Sequence, residues 1–227
     1  MLGVSVFRQD CGAVCAFAGI AGTYYGCSGS ACNPVAVAVA KQLQNPVALF
    51  AQDNNGLIVD LPAVPAEGAA THSGSLIFGI GTQTNNGLGG AVVMPVEPSN
   101  GTFTTLYANR SYTGSFIDSG SNAMFFNDGI STCRQAFSSG YYCPATTQTL
   151  SAQNQGRTGV GKSVSFSVAN AEELFLTNPG NKVFGNLAGP RAGSSFDWGL
   201  PFFFGHRVYV AFEGTSTPGG SGPYFAY

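Results

Sequence analysis

The sequence predicts an all-β protein, and three observations carry that expectation. Of 227 residues, 32 are Gly and only 9% are charged, against about a quarter in an ordinary globular chain. Apolar or alternating runs of four to eight residues recur between turns rich in Gly, Asn and Pro. Helix start and stop signals are confined to a few short segments. With 44% hydrophobic residues, the chain can bury a sizeable core.

The elements follow in chain order. In "NPVAVAVAKQLQNP", Asn33 is placed to cap and Pro34 falls at a first helical position, with a stop at Asn45-Pro46. A short helix is therefore expected over 34–44, although the alternation in "VAVAVA" also fits a strand. "PVALFAQD", the turn "NNG" and "LIVDL" then read as a hairpin. "GSLIFGIG" (74–81) is an apolar strand. "TQTNNGLGG" (82–90) is polar and aperiodic, the best linker candidate, and divides the chain into regions 1–84 and 85–227. Beyond it come "AVVMPV", the turn "PSNG", "TFTTLYA" and "SFIDSGSNAMFF". "KSVSFSVA" (162–169) alternates cleanly as a strand. "NAEELFL" reads as a short helix with Asn170 as its cap and two acids in the first turn. "FDWGLPFFFGHRVYVAFEG" reads as apolar strand, Gly turn and strand, and "GPYFAY" as a final strand.

Charge and hydropathy exclude several functions. A net charge of -2 and a pI near 5.5 leave no basic patch for a phosphate backbone, so no nucleic-acid partner is expected. No window of about 18 apolar residues exists, so no spanning helix is expected. Cysteines 11, 15, 27, 32, 133 and 143 are an even set, read as disulfides of an oxidising compartment. The competing reading for the first four is a zinc site. However, Cys11-x3-Cys15 and Cys27-x4-Cys32 are looser than the two-residue knuckles such sites use. Cys133 and Cys143 flank "RQAFSSGYY" and would close a surface loop by pairing. The start "MLGVSVFRQDCG" carries no export signal, so a signal peptide and the true N-terminus are expected to lie upstream.

One acid sits in an otherwise apolar strand. Asp118 follows Phe116-Ile117 and precedes Ser119-Gly120-Ser121, so hydroxyls and unobstructed N–H groups stand ready to bond its carboxylate. An Asp-Ser-Gly turn cap is the competing reading. Asp10, Asp53, Asp60, Asp128 and Asp197 all lack the Ser/Thr-Gly that follows Asp118. For Asp197, a structural ion pair with Arg191 or Arg207 is expected, with influence on Asp118 as the alternative. His72 and His206 lie in no metal-spaced group, and "IDSGS" is no serine-nucleophile elbow.

"FIDSGSNAMFF", followed about 80 residues later by "DWGLPFFFGHRVYVAFE", resembles the second lobe of the pepsin-like aspartic peptidases. The active loop of that family reads Asp-Thr/Ser-Gly-Thr/Ser, and an apolar-apolar-Gly segment threads beneath it. The resemblance implies a bilobal β-barrel fold, truncated here at its N-terminus, with 1–84 the back half of lobe one and 85–227 lobe two. Met1-Leu2-Gly3-Val4 is similar to the underlying segment of a first lobe, and Trp198-Gly199 to that of the second. It further implies that Asp118 is one of two catalytic aspartates. Ser119 would brace the loop against its counterpart, Ser121 would bond the carboxylate, and Cys133 with Cys143 would fall where second-lobe disulfides lie. The substrate would be a peptide or protein, with no cofactor and no metal. The first-lobe aspartate would precede residue 1, so this chain is expected to be inactive by itself. "FRQDCG", "QNPVALFA", "MPVEPSNGTFTT" and "FDWGLPFFFG" also resemble an uncharacterised family of exported proteobacterial proteins. That likeness implies a periplasmic, envelope or secreted location and leaves a non-catalytic binding or structural role as the alternative.

Overall fold

A computed structural model describes residues 4–227, and the regular structure in it is mostly β-strand. Leu2 and Gly3, assigned above to an underlying segment, lie outside the described residues. After helix α1 (Ala13–Phe17), strands β1 (Tyr25–Ser28) and β2 (Ala31–Pro34) form an isolated antiparallel ribbon. Strands β3 (Gly56–Leu61), β4 (Ser75–Phe78) and β5 (Val93–Pro95) follow, then β6 (Phe103–Tyr107), β7 (Arg110–Ile117) and β8 (Met124–Phe126). The chain continues through β9 (Gln148–Gln155), β10 (Gly161–Val168), helix α2 (Ala171–Thr177), β11 (Ala188–Pro190), β12 (Asp197–Trp198) and β13 (His206–Ala211). It ends in a two-strand ribbon of β14 (Ser216–Thr217) and β15 (Gly220–Ser221), followed by β16 (Tyr224–Ala226).

Two sheets carry the architecture, one ordered β10-β9-β6-β7-β12-β8-β11 and the other β4-β3-β13-β16-β5. The β-structure includes a nearly closed, barrel-like sheet. The five-stranded sheet takes β3 and β4 from before residue 84 and the other three strands from after it. Its side chains alternate between two faces with period two, and its central strands β3, β13 and β16 pack into a core on each face while the edge strand β4 is largely exposed. Leu57, Val208 and Val210 join one core with Phe103, Phe126 and Trp198 of the larger sheet. Ile58, Tyr209 and Ala211 face a second core on the other side.

Two expectations from the sequence are overturned. The 34–44 helix does not form. Asn33 and Pro34 are the end of β2, pinned by the Cys27–Cys32 bond and the Tyr25–Pro34 register, and only Val39–Lys41 makes a 3₁₀ turn. The 46–61 hairpin is also absent, because Pro46–Leu49 is a 3₁₀ turn whose first amide, at Val47, is capped by the Asn45 side chain. The partners of β3 are instead β4 and the distant β13. The 82–90 segment is a folded loop around fully buried Asn86, whose Oδ1 accepts from the Thr82 and Gln83 amides. By contrast, α2 starts where its cap predicts, with Asn170 accepting from the Glu173 amide.

The cysteines pair as Cys11–Cys15, Cys27–Cys32 and Cys133–Cys143. This replaces the four-thiolate alternative, since a sulfur bonded to sulfur is not a thiolate ligand. Three disulfides point to an oxidising, extracytoplasmic environment. No described helix is long and apolar enough to cross a membrane.

Candidate functional site

Asp118 stands at the C-terminal end of β7, where the strand leaves the sheet and turns back toward β8. Strand β12 lies between the two, pairing Asp197 with Phe116 in parallel and with Phe125 antiparallel. The segment 197–200 therefore runs directly beneath the 118–123 turn. The Asp118 amide donates to Trp198 O at 3.0 Å, and the Leu200 amide donates to Ser121 O at 2.7 Å. Gly199 is required by contact: a Cβ there would meet Ala123 O at 2.0 Å and Ser121 O at 2.9 Å.

The half-buried Asp118 carboxylate is held by its own turn. Gly120 N donates to Oδ1 at 2.8 Å, and Ser121 Oγ lies 2.9 Å from Oδ2. Ser119 Oγ accepts from the Val4 amide at 3.2 Å, tying the turn to the N-terminal segment. Asp118 also opens on a cavity of ≈ 600 Å³ whose other walls include Phe7, Leu43, Phe50, Leu57 and Phe78. The acids lining it are Asp118 and Asp10, and Asp10 already accepts from Tyr24 Oη at 2.5 Å.

Beneath the turn lies a buried polar chain that sequence reasoning missed. Trp198 Nε1 donates to Thr105 Oγ1 at 3.0 Å, Thr105 donates to Asn154 Oδ1 at 2.7 Å, and Asn154 Nδ2 donates to Tyr227 Oη at 3.1 Å. All four residues are buried, and every bond in the chain is made, which fixes the indole rather than leaving it as filler. The signal lay in polar residues at inward positions of the alternating strands β6 and β9, legible only once the sheet register is known.

Asp197 departs from the expected ion pair. It is 3% exposed and lies 3.0 Å, through Oδ2, from Ser121 Oγ. Arg207 instead pairs with Asp60 at 3.1 Å, and Arg191 Nε donates to Ser195 Oγ at 2.7 Å. Burial pushes the Asp197 carboxyl up to about 6. Asp118 adds to that rise, while Ser121 and Arg191 oppose it.

The remaining candidates have structural partners. Cys133–Cys143 closes the loop that α2 anchors, with Glu172 Oε1 accepting from the Arg134 and Gln135 amides and from Ser138 Oγ. The Gln135 amide, followed by that of Arg134, holds the Glu172 carboxyl below the usual range. The rings of His72 and His206 bond to the Pro62 and Phe202 carbonyls. Cys11, Cys15, Cys27 and Cys32 sit in the N-terminal segment.

The chain belongs to the DUF3443 family, described as a protein of unknown function, whose model matches residues 1–227. No curated protein matches the sequence.

Proposed function

We propose that this chain is part of an aspartic-peptidase-like protein in which Asp118 is one of two catalytic carboxylates. The second would be supplied by an Asp-Thr/Ser-Gly turn outside residues 1–227, since no other aspartate here is followed by Ser/Thr-Gly. The observation that carries this reading is the presentation of Asp118. Its two oxygens are oriented by Gly120 N and Ser121 Oγ, and it borders a large apolar cavity. Two such carboxylates facing each other would share one proton and hold a water between them. One would act as base on the water while the other donates to the carbonyl oxygen. The Phe- and Leu-rich walls would take apolar side chains of an extended peptide. Residues 1–227 alone would not cleave.

The test is peptide cleavage at acid pH by a longer form carrying both turns, with and without Asp118→Asn. The variant is expected to lose at least about a thousandfold in kcat/KM. Unchanged cleavage in the variant sinks the assignment.

A second reading, a non-catalytic envelope or secreted binding module with the pepsin-like fold, is favoured by the single Asp-Ser-Gly beside a largely apolar cavity. Peptide binding to residues 1–227 that survives Asp118→Asn, without turnover by the longer form, would support it.

A further inference from the structure

Beneath the turn, three side chains line up as Asp118–Ser121–Asp197, with Ser121 Oγ 2.9 Å from one carboxylate and 3.0 Å from the other. A serine hydroxyl has one hydrogen, so two ionised carboxylates would compete for it and one contact would hold no proton. Both contacts are satisfied only when a second proton lies between these oxygens. The buried acid is the natural holder. Asp197 Oδ1 is enclosed and has no hydrogen-bond partner among the described residues, an arrangement far less costly for the carbonyl oxygen of a neutral acid than for half of a carboxylate.

We propose that Asp197 is a positioning residue for Asp118: its protonated form donates to Ser121 Oγ and so commits the single Ser121 hydrogen to the Asp118 carboxylate. Ionisation of Asp197 removes that order, because Ser121 must then serve two anions. The groups facing Asp197 fit this role. Asp118, from the end of β7, opposes its ionisation, and Arg191, from the segment before β12, favours it. Its strand partners Phe116 on β7 and Phe125 on β8 are apolar, and its bonding partner Ser121 on the turn is neutral. Burial holds the proton on Asp197 up to about pH 6. With 3% exposure, Asp197 does not reach substrate and is not itself catalytic. The inference concerns the internal order of the site and stands whether or not the protein cleaves peptides.

The sole tryptophan, Trp198, adjoins Asp197 in sequence and is fully buried, so its fluorescence reads the titration of residues 1–227 directly. The wild-type chain is expected to show a transition with its midpoint near pH 6, absent in Asp197→Asn. In Asp118→Asn the midpoint should fall by about half a pH unit, because a like charge has been removed. His206→Gln, which removes the ring stacked on Phe202 beside Trp198, should keep the transition, because the proposal assigns it to Asp197. A transition that persists in Asp197→Asn, vanishes in His206→Gln or keeps its midpoint in Asp118→Asn overturns the proposal. If Asp197→Asn fails to fold by circular dichroism, the wild-type infrared pH-difference spectrum decides. A protonated-carboxyl band lost with the same midpoint supports the proposal, and its absence refutes it. A chain that titrates in this way but never cleaves keeps this inference and loses the peptidase reading.

Discussion

Between Cys11 and Asn45 only Cys15 and Gln42 are buried, whereas from Phe196 to Phe203 every residue except Leu200 is. The first region carries two local disulfides on a largely exposed chain, and both strands of its ribbon are exposed throughout. The second contains no disulfide. It is held by ring stacking of Phe196 on Phe126 at 4.5 Å and on Trp198 at 4.3 Å, by the polar chain under the indole, and by backbone bonds to the turn above. The difference separates two ways of fixing a shape. A cross-link limits the unfolded chain without needing a core, while packing fixes side chains in place. A carboxylate that must hold its orientation belongs on the packed kind.

That contrast can be broken by four measurements. Gly199→Ala pushes a methyl into Ala123 O and should cost about 3 kcal/mol in urea unfolding; a cost below about 1 kcal/mol would mean the turn yields easily. Removing Cys133–Cys143 by double Ser substitution should cost about 2–3 kcal/mol, because that loop is docked on α2 through Glu172. Asp197 sharpens the comparison through pH. Its folded value lies above the ordinary 3.8, at about 6, so the folded chain binds more protons between these values. Its stabilising contribution is therefore full below about pH 4 and is lost as pH rises through about 6. The loss is on the order of 1–3 kcal/mol, and Asp197→Asn should flatten this part of the stability profile in thermal melts across pH 4–8. The smallest effect is expected from Cys27→Ser with Cys32→Ser: within about 0.5 kcal/mol of wild type in global unfolding, because the exposed ribbon frays locally. A larger loss there would show that the ribbon is coupled to the core.

The legible parts of the fold were those whose signals are local. Strand β10 follows from the alternation in "KSVSFSVA", and α2 from the Asn170 cap. The illegible parts turned on competition between distant partners. Asn33-Pro34 and Asn45-Pro46 carry the same cap-and-proline signal, yet only the second opens a turn, because β1 and the Cys27–Cys32 bond claim the first for a strand. "LIVDL" is a strand as expected, but its neighbour β13 comes from some 150 residues later along the chain, not from "VALFA". At the site, the bond of Ser121 to Asp118 lies within one turn and was foreseeable. Its second bond, to Asp197 across 76 residues, was not.

The sequence by itself therefore determined the β class, the even cysteine set and an aspartate in a turn of Ser and Gly, because composition, turn chemistry and spacing act over a few residues. Tertiary structure alone decided that Asp197, in the segment beneath that turn, would bond a serine there instead of an arginine. The partners of a buried carboxyl are whatever the sheet order brings within 3 Å, and sheet order is set by burial across the whole chain rather than by any segment of it.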